Sequence, residues 1–185
     1  MNPLDVNEHA SEPAVTTWTK RRIAVDRLLS SAPSRPQAKT EWEENGAAWL
    51  RPGGLFSAVV MQAGVLQAAA GLGGPEACTA PVAEVLEYGP LFYSPTDFRG
   101  NGAYTALLPV RDTHQGPPLP AVVTHHQAAL LLVPRLDITA PTETGGPWWV
   151  SPLDDPDLLC PAERVAVLAT LGRDILVRAK ERQDV

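Results

Sequence analysis

The sequence has 185 residues, of which 44% are hydrophobic and 19% are charged, and its formal net charge is −6. This length suits a single domain with a sizeable core. The negative charge disfavours non-specific nucleic-acid binding, which needs a basic face. No apolar run is long enough to span a membrane, and the polar, acidic N-terminus is unlike a signal peptide. We therefore expect a cytoplasmic protein without membrane attachment.

The first part of the chain predicts a leader and a helix. Residues 1–14 are acidic and have little to bury, so we expect a disordered leader ahead of one domain at 15–185. Residues 16–31, TTWTKRRIAVDRLLSS, have apolar positions at helical spacing, with Thr16 or Thr17 as the N-cap.

A linker and a β-α unit follow. The segment APSRPQAKTE at 32–41 predicts a proline-broken linker, and Trp42 and Trp49 after it predict partial core anchors. LFSAVVM at 55–61 has strand composition, and QAGVLQAAAGLGG at 62–74 predicts a helix ended by glycines. A phosphate-binding loop would need its glycines ahead of the helix, so these are stop signals.

The second half of the chain predicts strands and a long helix. Residues 89–93 and 103–109 form one predicted pair, and 120–124 and 128–133 form a second pair around a His-His-Gln turn. The tail at 161–182 predicts a helix with one apolar face. This order predicts an α+β fold in which a central, mostly antiparallel sheet is packed with helices on one side.

Two charge clusters and two cysteines admit ordinary structural explanations. The triplet KRR at 20–22 fits the solvated side of a helix. Asp154, Asp155 and Asp157 precede the final helix, where negative charge is favourable, and they lack the spacing of a calcium loop. The two cysteines have no C-x-x-C spacing, so we expect no zinc site and no cofactor, and their pairing stays open.

Three stretches resemble bacterial bifunctional primase–polymerase (prim-pol) N-terminal domains. PAVVTHHQAALLLVPRLDITAPTETGGPWWV resembles the last sheet strands of that family. GPLFYSPTDFRGNGAYTALLPV resembles its hairpin, and RPGGLFSAVVMQAGVLQAAAG resembles its earlier β-α unit. The resemblance covers roughly residues 46–150 and is closest to degenerate domains of high-G+C bacteria. It implies a prim-pol/RRM-like sheet.

The residues that perform prim-pol chemistry are missing. The family holds two divalent metals with an Asp pair on an early strand and a later carboxylate, and a hairpin histidine contacts the nucleotide phosphates. Here no carboxylate lies between Glu44 and Glu76. The hairpin histidine falls at or near Tyr104, and the later acid falls near Val123 or Thr124. The resemblance thus implies a domain without nucleotidyl transfer, in which we assign no catalytic and no metal-binding residue.

Five residues are binding candidates: Arg99, Tyr104, His125, His126 and Trp148. Adjacent side chains of a strand or tight turn point to opposite sides, so we expect the two histidines to shape a solvent-facing hairpin turn rather than a metal or catalytic pair. Trp148 is of a type that stacks on a base. Alternation along a strand predicts core packing instead, with one residue of the tryptophan pair buried and the other exposed.

Three functions remain open. The first is a non-catalytic prim-pol-like module that binds an unidentified protein partner, as a regulator or accessory of replication or a mobile element. The second is a nucleotide or single-stranded nucleic-acid binder, which needs a basic groove formed by Arg51, Arg99, Arg111 and Arg135. The third is an enzyme of an unrelated type. The missing carboxylates and the acidic charge favour the first.

Overall fold

The structure, a computed structural model, describes residues 12–110, 122–125 and 129–183. The described helices are α1 (Glu12–Ser30), α2 (Arg35–Asn45), α3 (Ala63–Ala70), α4 (Thr79–Val85), α5 (Asp97–Gly100) and α6 (Ala162–Gln183). The described strands are β1 (Ala47–Leu50), β2 (Ser57–Gln62), β3 (Leu91–Ser94), β4 (Ala103–Leu108), β5 (Val122–His125), β6 (Leu131–Pro134) and β7 (Trp148–Ser151). The predicted α+β class is confirmed.

The main sheet has five strands in the order β5-β2-β4-β3-β7, and a separate two-stranded sheet pairs β1 with β6. All described pairings are antiparallel. Strands β2 and β3 both run antiparallel to β4, which lies between them, so β2 and β3 are parallel to each other. Helices α3 and α4 connect them, which makes this part of the fold a split β-α-β unit.

Both faces of the main sheet are covered. Alternation along β2 sends Ala58 and Val60 to one side and Val59 and Met61 to the other. The first side packs against α1, α2 and the β1–β6 ribbon, and the second packs against α3, α4 and α6. The prediction of helices on one side was wrong. A continuous apolar run such as residues 58–61 of β2 is typical of a sheet buried on both faces.

The predicted pairing of β5 with β6 was also wrong. Strand β5 pairs with β2 in the main sheet, whereas β6 pairs with β1. Two buried tryptophans anchor β6 in this second position: Nε1 of Trp42 donates to the carbonyl oxygen of Val133 at 3.0 Å, and Nε1 of Trp149 donates to that of Pro134 at 3.0 Å. These contacts join residues that are distant in sequence, so local patterns did not indicate them.

Helix α1 is longer than predicted, and helix α2 lies where a linker was predicted. Helix α1 begins at Glu12, inside the predicted leader and before Thr16 and Thr17, and residues 1–11 lie outside the described residues. Helix α2 includes most of the predicted linker, with Pro36 in its first turn. Proline is tolerated there because the first backbone N–H groups of a helix have no intrahelical acceptor.

Helix α6 crosses α3 at Gly172. A Cβ atom at this position would overlap the carbonyl oxygen of Val65 and lie 2.8 Å from its carbonyl carbon. The predicted apolar face of α6 is buried at Val165 and Leu168, but beyond the crossing Ile175 and its neighbours are partly exposed. Among the described residues, no helix has the length and hydrophobicity needed to cross a membrane.

Candidate functional site

The sheet brings together the three strands on which the prim-pol resemblance places its chemistry. Met61 of β2 lies between Tyr104 of β4 and Val122 of β5, and Val59 lies opposite Thr124. Apolar side chains supply no oxygen ligands for a divalent cation. In the ranges that the structure describes, no three His, Cys, Asp or Glu side chains are grouped so that they could hold a metal ion.

Tyr104 is fully buried between the sheet and α3 and α4. Its ring centroid lies 5.1 Å from that of Tyr93. Its hydroxyl has no hydrogen-bond partner within the described part of the chain, although Cys78 and Gln67 lie beside it. Burial raises the pKa of Tyr104 far above its ordinary value, so the phenol is neutral at physiological pH. In this position it cannot reach the phosphates of a nucleotide at the surface.

Trp148 and Trp149 are both buried, with 3% and 0% of their surface exposed. Trp148 packs 5.9 Å from the ring of Tyr93, and Trp149 packs edge-on against Phe92 at 5.3 Å. The expectation that one would be exposed was wrong because β7 belongs to a sheet with two covered faces. Neither indole presents a face on which a base could stack.

The hairpin turn predicted for His125 and His126 was wrong, because β5 and β6 pair with different strands in different sheets. Binding roles for Arg99, His125 and His126 stay predictions. His125 ends β5, with its backbone opposite Ala58 of β2. Its side chain and that of Arg99 lie outside the described part, as do the whole of His126 and Arg111.

Two residues of the proposed basic groove, Arg51 and Arg135, lie in the described part of the chain. Arg51 is exposed directly after β1, and its backbone N–H donates to the carbonyl oxygen of Ser31 at 3.0 Å. Arg135 has defined side-chain contacts. Its guanidinium binds both carboxylate oxygens of Asp137, with Nε–Oδ1 and Nη2–Oδ2 distances of 2.6 and 3.0 Å. A weaker bond, 3.3 Å long, runs from Nη1 to the carbonyl oxygen of Trp42. Arg135 lowers the pKa of Asp137 by hydrogen bonding, so the carboxylate stays ionised and neutralises the guanidinium. Convergence of arginines into a basic groove thus gains no support from Arg135.

The two charge clusters bind each other. Lys20 and Arg21 of the basic triplet and Arg27 face the acidic loop ahead of α6, whereas Arg22 lies over the ring of Trp18. Sequence spacing did not reveal this arrangement. Three ion pairs join them: Lys20 to Asp155 at 2.7 Å, Arg27 to Asp157 at 3.1 Å and Arg21 to Asp154 at 3.9 Å. The hydrogen bond from Lys20 lowers the pKa of Asp155. The acidic loop therefore neutralises three basic side chains of α1.

Both cysteines are buried free thiols. The Cys160 thiol donates to the carbonyl oxygen of Pro90 at 3.3 Å, and burial raises the pKa of Cys160 to about 12. Since the thiolate is the nucleophile and the metal ligand, a buried neutral thiol is inert. Cys160 has a structural role at the start of α6.

An exposed groove lies between α2 and the β1–β6 ribbon, and sequence reasoning did not indicate it. Its volume is about 350 Å³, and it is lined by Pro33, Ser34, Gln37, Ala38, Glu41, Trp49 and Leu130. Trp49, predicted as a partial core anchor, is 48% exposed. Gln37 Nε2 donates to Oε1 of Glu41 at 2.8 Å, and the backbone N–H of Trp49 donates to Oε2 at 3.1 Å. These bonds fix a carboxylate beside an exposed indole.

No protein-family model, curated protein or solved structure matches this chain. The prim-pol resemblance therefore remains a prediction from the residues quoted for it.

Proposed function

We propose that the chain is a non-catalytic prim-pol-like domain that acts by binding another protein, as a regulatory or accessory module of a replication or mobile-element system. The strand order β5-β2-β4-β3 around a split β-α-β unit supports this proposal. A four-stranded sheet with helices on one face is also the framework of RRM domains, which bind RNA through aromatic side chains on the other face.

The coverage of that other face carries the proposal. Here the α1/α2 side of the sheet is filled by side chains such as Phe92, Leu107 and Trp149, and it packs against Leu28 of α1 and Trp42 of α2. A base could reach these aromatic rings only if α1 and α2 moved away. Such movement would expose a hydrophobic core, at a cost of about 25 cal/mol per Å² of apolar surface.

Electrostatics point in the same direction. The net charge of −6 repels phosphate. The basic residues at 20, 21 and 27 are paired with the acidic loop. A protein partner does not require a basic face. The exposed side chain of Trp49 on β1 and the apolar side chains exposed on the distal part of α6 offer contact surface for one.

The test combines catalysis with partner recovery. With magnesium or manganese, deoxynucleotides and a primed template, the purified protein should extend no primer. Template-dependent extension by the purified protein would overturn the non-catalytic proposal.

The partner is tested by affinity capture of the tagged chain from its source cells. A stoichiometric protein should remain bound after nuclease treatment. Recovery that depends on intact DNA or RNA, or saturable binding of single-stranded DNA at physiological salt, would overturn the protein-binding proposal in favour of a nucleic-acid binder.

A further inference from the structure

The groove between α2 and the β1–β6 ribbon has one wall and a floor of different chemistry. Its wall is a single face of α2, on which Ser34, Gln37, Ala38 and Glu41 follow the i, i+3, i+4, i+7 spacing of a helix. The floor contains the indole of Trp49 and the side chain of Leu130. The groove therefore has an apolar floor and a mostly polar wall that carries one carboxylate.

The exposed indole of Trp49 has no cation over its ring among the described residues. Elsewhere in the same chain, the exposed ring of Trp18 is covered by the guanidinium of Arg22, which lies 5.6 Å from the ring centroid. Tryptophan is the aromatic side chain that attracts a cation most strongly, because of the negative charge on its ring face.

The carboxylate of Glu41 also has no cationic partner in the part of the chain that the structure describes. Its neighbours on the α1–α2 surface are paired, Glu43 with Lys39 at 3.8 Å and Asp26 with Arg35 at 2.6 Å. No lysine or arginine of the described residues forms an ion pair with Glu41. Its two hydrogen bonds leave lone pairs on both oxygens, since an ionised carboxylate offers about four acceptor sites.

We propose that this groove binds a basic, extended peptide segment of a partner protein, with an arginine or lysine side chain lying over Trp49 and donating to Glu41. This inference rests on the proposed protein-binding function and names the chemistry of the partner. A volume of about 350 Å³ suits one long side chain with its flanking backbone. The net charge of −6 attracts a basic segment at long range, while Glu41 repels a phosphate.

The test uses the full chain and a short blocked Gly/Ser peptide with one central arginine, compared with the same peptide carrying glutamine. Binding is followed by the NMR signal of the Trp49 indole N–H, assigned through Trp49→Phe. The arginine peptide should shift this signal in a saturable manner, and the glutamine peptide should not. Equal shifts with both peptides would overturn the proposal, as would no shift with either or a shift on adding single-stranded DNA.

The variants separate the carboxylate from general surface charge. Glu41→Gln should weaken binding of the arginine peptide about tenfold or more, the scale of a lost hydrogen bond to a charged group. The matched control, Glu43→Gln, removes the same charge from the same helix outside the groove lining and should leave the affinity within about twofold. If both variants weakened peptide binding equally, the loss of net charge would explain the effect, and the assignment of Glu41 would be overturned.

Partner capture distinguishes this inference from the proposed function. Wild type and Glu43→Gln should recover the nuclease-resistant partner, and Glu41→Gln and Trp49→Leu should not, while thermal unfolding shows that all four are folded. If the groove variants still recover the partner, the groove proposal fails and the protein-binding function stands. If wild type recovers no partner at all, the proposed function fails.

Discussion

Replacing Gly172 by alanine should loosen the contact between α6 and α3. Ordinary van der Waals contacts of a Cβ atom fall at 3.4–4 Å, whereas a Cβ at this position would lie 2.8 Å from the carbonyl carbon of Val65 and overlap its oxygen. The obstacle is the backbone of α3, which no rotamer change can remove. Because the Val65 carbonyl oxygen occupies the space of the added Cβ, α6 would have to shift as a whole away from α3, which would disturb the packing of Val165 and Leu168 on the sheet.

Two opposing effects determine how much Gly172→Ala changes the free energy of unfolding. Glycine to alanine in a helix interior gains about 1 kcal/mol from helix propensity. Overpacking costs about 1–3 kcal/mol, and the rigid obstacle places Gly172→Ala at or above the upper end. The expected net loss is about 2 kcal/mol, which for a domain of this size lowers Tm by roughly 4–8 °C.

Gly64→Ala is the matched control, because Gly64 lies on α3 and a Cβ there would meet nothing within 4 Å. It should gain up to about 1 kcal/mol, which raises Tm by roughly 2–4 °C. Thermal and urea unfolding followed by circular dichroism measure both variants. Unchanged or increased stability in Gly172→Ala would refute the close helix crossing, and an equal loss in both variants would refute its assignment to the Val65 contact.

Three further predictions concern single side chains. Tyr104→Phe removes a buried hydroxyl without a described partner, so the free energy of unfolding measured in urea should stay the same or rise by up to about 1 kcal/mol; a loss of more than that would mean that the hydroxyl is bonded. Tyr88 has a φ of 60°, in the left-handed region that only glycine adopts without strain, so Tyr88→Gly should stabilise the fold by about 1 kcal/mol. Tyr88→Ala should not stabilise it, and thermal unfolding of the two variants makes the comparison. The ion pair with Lys20 lowers the pKa of Asp155, so it stabilises the fold at pH values above the unfolded-state pKa of about 3.8, and this stability is lost as the pH falls through the lower folded-state pKa. Asp155→Asn should therefore be less stable than wild type at neutral pH and equally stable in acid. A loss of stability that does not depend on pH would contradict the pairing.

Local patterns predicted the parts of the fold that local physics determines. Strands β2 and β4 and helix α6 were predicted because their apolar runs and helical spacing lie within a few residues of one another. Helix α2 was missed because Pro36 was interpreted as a helix breaker, whereas in the first turn it interrupts no hydrogen bond.

Pairings between distant residues were not accessible in this way. The sequence on both sides of the His-His-Gln segment favours a hairpin. In the structure, β6 instead pairs with β1, the strand of Trp49, and accepts a hydrogen bond from Trp42 of α2. The same applies to the groove, since Glu41 and Leu130 are far apart along the chain. An exposed tryptophan cannot be distinguished from a core anchor until the neighbours of its strand are known.

The segment ahead of the main sheet gives the molecule both its closed core and its groove. Helices α1 and α2 cover the sheet face that an RRM-like domain would use for bases, and α2 with β1 forms the wall and floor around Trp49. The same helices thus close the sheet face to bases and supply a wall of the groove that we propose as a binding surface. Substitutions at sheet positions such as Trp149 should therefore unfold the protein, and substitutions at Glu41 or Trp49 should remove partner binding from a folded one. The two groups of residues separate stability from recognition.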